Sequence, residues 1–281
     1  MVKMGTVWDR TAEFLSDNIG AILPIALLAF FVPASIEGNF EAAMKDASME
    51  LVLALRLVQL AFGILSVWGS RAISAMALDI AGSDAAGTVA GRRLPAALVV
   101  SIAMIAAVVA LTLPVPAVLA ANGVDLQAIV RGDKFEIGRG LAAFVAIYLI
   151  VLVVLLVWLA ARLAVTTPVI VREKRVFSAL GQSWKLTRGF TLRIVGVILL
   201  FVLVSWVSRL AAQTVFGSVF ALVAGGGDGI SLGSVLTSIV VAVVQTGFTL
   251  LVPAFTAKLY LALAADKGFR ESGRGEGAGP A

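Results

Sequence analysis

An all-α polytopic membrane fold, with six transmembrane helices and amphipathic interfacial helices, is what this sequence predicts, and three observations carry it. The first is composition. The 281 residues are 60% hydrophobic and only 14% charged, with a mean hydropathy of +1.03, whereas soluble domains run at about 45–50% apolar and about 25% charged. So little charge cannot wet a water-facing surface. The second is length: six apolar stretches reach or approach the ~20 residues that a spanning helix needs. The third is an uneven division of Lys and Arg between alternate loops, the signature of topology.

The elements follow in order. Residues 1–19 predict a cytoplasmic amphipathic helix. Thr6 can cap it, and Val7, Trp8, Thr11, Ala12, Phe14, Leu15 and Ile19 fall on one arc at 100° per residue. Asp9, Arg10, Glu13, Ser16 and Asp17 take the other arc. Such a helix either lies in the membrane plane or covers the end of the bundle. The acids before residue 20 are unlike a secretory n-region, so the first apolar stretch reads as a retained helix.

The six-helix domain, residues 20–265, holds spans at 20–36, 51–70, 94–121, 141–161, 194–224 and 230–257. Pro114, Pro116 and Pro253 are expected to kink or end their helices. Residues 176–187 form a second amphipathic segment, with Val176, Phe177, Leu180 and Trp184 together. The Gly225–Gly229 run reads as a tight turn, since it lacks the Lys-Ser/Thr of a phosphate loop. Residues 266–281 are Gly- and charge-rich and predict a disordered cytoplasmic tail.

Of the 22 Lys and Arg residues, 16 fall in the N-terminal segment, the loops after spans two and four, and the tail. Four (Lys45, Arg131, Lys134 and Arg139) fall on the opposite side, and Arg56 and Arg209 lie within spans. Both termini are therefore expected in the cytoplasm.

Composition also excludes chemistry. The chain contains neither His nor Cys, so imidazole bases, disulfides, thiolate nucleophiles and Cys/His zinc sites are ruled out. No pair of carboxylates shares a depth in the spans. No enzymatic activity, cofactor, metal or nucleic-acid partner is expected.

The segment 162–193 reads Arg162, Pro168-Val-Ile-Val, Glu173, Ala179-Leu180 and Ser183-Trp184-Lys185-Leu186-Thr187-Arg188-Gly189. It resembles the membrane domain found fused to some bacterial glycerophosphoryl diester phosphodiesterases, and that domain's stand-alone relatives. The opening is similar too: a short amphipathic helix, then Asn18-Ile-Gly-Ala-Ile-Leu-Pro24. The resemblance implies a six-helix protein of the bacterial cytoplasmic (inner) membrane. It does not imply the phosphodiesterase reaction, which in the fused proteins belongs to a separate barrel using carboxylates, a metal and histidines. The six spans leave no room for that barrel.

Two groups of residues are candidates for function. The first is the basic loop, with Arg162, Pro168, Glu173, Ser183, Trp184, Lys185 and Arg188. Pro168 is expected to stop regular helix and Glu173 to pair with Arg162 or Arg188. Bases near an anionic leaflet each contribute about 1 kcal/mol of attraction; plain topology and helix anchoring account for the same residues without a ligand. The second group lies at membrane depth. Ser205, Arg209 and Gln213 follow at i, i+4 and i+8 in span five, Arg56 and Gln59 sit in span two, and Gln245 sits in span six. An Arg at the centre of a spanning helix costs about 2.5–3.5 kcal/mol on insertion scales, so Arg209 must face protein or water. Either it binds a phosphate or lipid headgroup, or it is bonded to carbonyls and amides and locks the bundle.

Two functions are thereby expected in competition. One is a non-enzymatic component that binds anionic membrane lipids, or a partner membrane protein, through the basic loop. The other is a transporter or channel for a small anionic or lipidic solute built on Arg209. A closed bundle favours the first, and a cavity reaching Arg209 favours the second.

Overall fold

The computed structural model describes residues 2–38, 40–44, 47–80, 82–127, 137–173, 178–224 and 232–276. The Gly225–Gly229 turn, Val176 and Phe177 lie outside the described residues, as do parts of the two other outer loops. Among the described residues the structure is all helical, and six helical stretches are long and apolar enough to cross a membrane.

Helix α1 (Met4–Asp17) starts after Lys3, not at Thr6, and has no side-chain cap. The first span is interrupted. It comprises α2 (Ile19–Ala26), a widened turn at Leu27–Phe31 with i→i+5 bonding, and α3 (Val32–Glu37). Pro33 has no N–H to offer the carbonyl of Ala29 four residues back. Ser66 supplies the missing donor from the second span, its Oγ donating to the Ala29 carbonyl at 2.8 Å. A short helix, α4 (Phe40–Met44), follows.

The second span is α5 (Met49–Ala77), capped by Ser48, whose Oγ accepts from the Leu51 N–H. It outruns the expected residues 51–70 by two turns. Consequently Arg71, expected in a loop, lies inside the helix. Asp79, with φ +55°, closes the helix: its N–H reaches the Met76 carbonyl and that of Ile80 the Ala75 carbonyl, a left-handed C-terminal cap.

Span three is α6 (Ser83–Thr112) followed by α7 (Pro114–Ala121). The helix breaks at Leu113–Pro114, as the proline predicts. Arg92 and Arg93, expected in a loop, lie within α6, in its third turn. Span four is α8 (Arg139–Leu163), which leads into α9 (Thr166–Glu173) and α10 (Ser178–Thr187). Spans five and six are α11 (Thr191–Ala224) and α12 (Leu232–Glu276). Pro253 does not end α12, and the helix also continues through Gly268, where composition predicts a disordered tail.

Helices α5, α6, α8, α11 and α12 pack each on the next to form a ring, with the first span lodged between α5 and α12. A Cβ on Gly69 would collide with the Cβ of Ala29, so the close approach of α5 to the first span requires glycine there. The dense core sits at one end of the ring. There Arg71–Leu78 of α5 are all buried, and α9 inserts Pro168, Val169, Ile170 and Val171 among α5, α6 and α12. Helix α1 closes this end, burying Val7, Thr11 and Phe14 against α12. Trp8 meets Phe255, with ring centroids 5.9 Å apart, and the Lys258 ammonium sits 4.8 Å over the Phe14 ring. Trp8 stays 43% exposed, so the helix both covers the bundle and keeps an apolar edge outward. Arg193 donates to the Val2 carbonyl at 3.2 Å, which fixes the N-terminus to the same end as the loop of residues 162–193.

Candidate anion-binding site

The polar stripe of α11 faces the interior of the ring. Arg209 lies at the junction of two cavities of about 440 and 640 Å³. Both are lined by Phe30 from the widened turn, Ser66 from α5, and Gln245 and Thr249 from α12. The smaller cavity extends toward the far end, past Gln213, Thr237 and Ser238 to Glu37. The larger extends toward the packed end, past Ser205 and Ser101 to Arg71 and Thr167. Together they occupy much of the ring's length.

The helical spacing of Ser205, Arg209 and Gln213 thus brings all three to the cavities, and Gln245 meets them from α12. Among the described residues nothing hydrogen-bonds or ion-pairs with Arg209, which is exposed; of the two alternatives for this residue, the guanidinium locked to carbonyls and amides finds no partner here. Nearby polar groups are mostly engaged elsewhere. Thr249 Oγ1 donates to the Gln245 carbonyl at 2.8 Å, and Ser205 Oγ to the Val202 carbonyl at 3.0 Å. Thr246 differs: its side chain lines the smaller cavity, is 9% exposed, and has a buried Oγ1 without a partner.

Arg56 and Gln59 do not join this site. They lie nearer the far end of α5 and bond to each other, Nη1 to Oε1 at 3.0 Å. The second cation is Arg71, one residue beyond the expected end of the second span and inside the longer helix. Arg71 is 4% exposed, donates one Nη1 bond to the Val67 carbonyl at 2.9 Å, and has a buried Nε with no partner. Sequence reasoning missed it because Arg71 follows Ser70 directly and reads as the first loop base. It missed Glu37 for the matching reason at the other end. The usable signal was the small-residue run Ala72–Ala77, which is too apolar for a loop.

The basic loop has a different character. Arg162 ends α8, where carbonyls lose their helical donors. Ser183 Oγ and Thr187 Oγ1 of α10 both donate to the Arg162 carbonyl, at 2.9 and 3.1 Å. The Arg162 guanidinium lies over both Trp158 and Trp184, at 5.4 and 4.9 Å from the ring centroids. The two indoles meet edge to face at 5.0 Å. The buried face of α10 is Ala179, Ser183, Leu186 and Thr187; of the stripe expected from periodicity, Leu180 is half-buried against the core and Trp184 sits at the margin. Glu173 accepts from the Tyr260 hydroxyl at 2.9 Å, an α12 partner that sequence reasoning did not find. Arg172 stacks on the same Tyr260 ring at 5.9 Å. Pro168 opens α9 within its first turn instead of stopping helix, where a missing N–H costs nothing. Lys185 and Arg188 remain exposed.

No protein-family model, curated protein or solved structure matches this chain, so the functional reading rests on its own residues and geometry.

Proposed function

We propose that the protein binds a small anionic solute, or an anionic lipid headgroup, inside its helical ring and passes it along the ring axis with Arg209 at the midpoint. The observation that carries this reading is the unpartnered Arg209 at the meeting point of two cavities. A charge at that depth is costly, and Arg209 is exposed to the cavities instead of being bonded to protein, which leaves its guanidinium open to an anion. The interrupted first span, whose widened turn borders both cavities at Phe30, is the kind of irregular backbone that membrane folds tolerate beside a cavity.

The membrane is read as the bacterial cytoplasmic membrane with both termini in the cytosol. The bias of Lys and Arg supports this, as does the gathering of α1, α9 and α10 at one end. A second reading keeps the basic end as a surface for anionic lipids or a partner membrane protein; the exposed Arg172, Lys185 and Arg188 favour it. The two can coexist in one molecule.

The native chain lacks cysteine, which makes the test direct. Gln213→Cys and Ser70→Cys are placed singly in the two cavities and labelled in vesicles with charged, membrane-impermeant thiol reagents. Gln213→Cys should react from the far side and Ser70→Cys from the packed side, both faster with the anionic than the cationic reagent. Failure of both to label would mean a closed bundle and would leave the lipid-surface reading.

A further inference from the structure

We infer that the larger cavity is a two-arginine site for a phosphate group, with Arg71 as its second cation. The inference rests on the Arg209 reading and gives it a ligand class. Arg71 and Arg209 reach the same cavity from α5 and α11, and no Asp or Glu lines it. Two guanidinium groups without a counter-acid need an anion of more than one charge, and their planar forks match an oxyanion with several oxygens. Ser70 and Ser101 add hydroxyls around the same space, whereas Ser66 and Thr249 already donate theirs to the carbonyls of Ala29 and Gln245. The Nε of Arg71 is buried and unbonded, a donor whose desolvation is compensated only when an acceptor arrives.

The remaining walls set the rest of the ligand. Val67, Phe201, Trp206, Phe248 and Val252 give the cavity an apolar side. A volume of about 640 Å³ is within the range of sites for whole organic ligands and larger than bare phosphate requires. A phosphate carried on an apolar body fits both halves. Phospholipid and free phosphate share the recognised group, and the experiment separates them.

The full-length protein in dodecyl maltoside is titrated with phosphatidic acid, with diacylglycerol as the phosphate-free control, and with inorganic phosphate. Binding is read by native mass spectrometry and by thermal shift. Phosphatidic acid should bind one per chain and diacylglycerol should not. Arg71→Gln and Arg209→Gln should each weaken binding by about tenfold or more, the loss of one charge-assisted contact. Arg71→Lys keeps the charge but not the fork, so it should fold and still bind several-fold more weakly; it decides the matter if Arg71→Gln does not fold. Equal binding of inorganic phosphate, with the same dependence on both arginines, would keep the site and make free phosphate its ligand. Weakening by Arg209→Gln alone, with both Arg71 variants binding like the native chain, would overturn the two-arginine site and leave the Arg209 reading intact. Binding of neither phosphate probe would overturn the inference, while thiol labelling still judges the axial pathway by itself.

Discussion

At the packed end of the bundle side-chain hydroxyls complete carbonyls that the helices release, whereas at mid-depth polar side chains line open space; among the described residues the packed end still holds three buried side-chain atoms without a partner, Arg71 Nε, Arg162 Nε and Thr166 Oγ1. The Arg162 carbonyl, released by the end of α8, takes two hydroxyl donors from α10. The Ala29 carbonyl, released by Pro33, takes one from Ser66. Glu173 is met by Tyr260. Arg209 and the hydroxyl of Thr246 receive nothing comparable. Both regions use the same residue types, Arg, Ser and Thr, so residue type does not separate scaffold from site. The difference lies in what the groups face: the packed end directs its hydroxyls to released carbonyls, while Arg209 and Thr246 face the cavities, and an unmatched buried group is costly unless something outside the chain completes it.

The largest way to break this contrast is Arg209→Gln. It should lower anion binding in the ring by about tenfold to a hundredfold, corresponding to a charge-assisted hydrogen bond of about 1.5–3 kcal/mol. Thermal unfolding followed by circular dichroism should barely move, because Arg209 holds no other element in place. A large fall in melting temperature would make Arg209 a structural residue and remove the distinction.

Next in size is a pair of changes on one helix. Gly69→Ala drives a methyl into Ala29 and should destabilise by about 1–3 kcal/mol, the usual penalty of overpacking. Gly63→Ala, in the same α5 with open space around it, should instead stabilise by about 0.5–1 kcal/mol through helix propensity. Opposite shifts in melting temperature are the expected result. Equal shifts would mean that the first span yields to α5 and that the contact is not tight.

At the packed end, Ser183→Ala and Thr187→Val should each cost about 0.5–1.5 kcal/mol, and the double variant more than their sum. Either hydroxyl alone still satisfies the Arg162 carbonyl; without both it is left unpaired. Strict additivity in a thermal double-mutant cycle would show that the two bonds are not alternatives.

Much of the fold was legible because lipid imposes simple length and hydropathy rules. The six spans, the break at Pro114 and the inward stripe of Ser205, Arg209 and Gln213 all follow from them. What stayed hidden depends on depth and on partners far apart in sequence. Arg71 and Glu37 lie just outside their apolar stretches, and a window average cannot tell a loop residue from the last turn of a longer helix. Arg56, within a stretch, was the natural choice, but it lines neither cavity and bonds Gln59 three residues on. The Ser183–Trp184–Thr187 pattern was visible as a pattern. Its partner, a carbonyl at residue 162, belongs to the backbone and leaves no mark in the sequence.

The smallest expected effect is the sharpest test of the distinction between the two regions. Thr187→Val and Thr246→Val are the same nearly isosteric exchange on two buried threonines, at 0% and 9% exposure. Thr187 Oγ1 donates to the carbonyls of Arg162 and Ser183, so its loss removes hydrogen bonds that are made and should cost about 0.5–1.5 kcal/mol. Thr246 Oγ1 has no partner, so its loss removes an unsatisfied group and leaves none behind. Thr246→Val should therefore be neutral or stabilising by up to about 1 kcal/mol in the ligand-free protein. With an anion bound the sign should reverse if the hydroxyl completes the ligand's shell, and the stabilisation that the ligand gives the native chain should shrink in the variant. Melting temperatures of both variants, with and without added anion, give the four values needed. If Thr246→Val destabilised the ligand-free protein as much as Thr187→Val does, the hydroxyl at mid-depth would be a structural group like those at the packed end, and the contrast between the two regions would no longer identify the site.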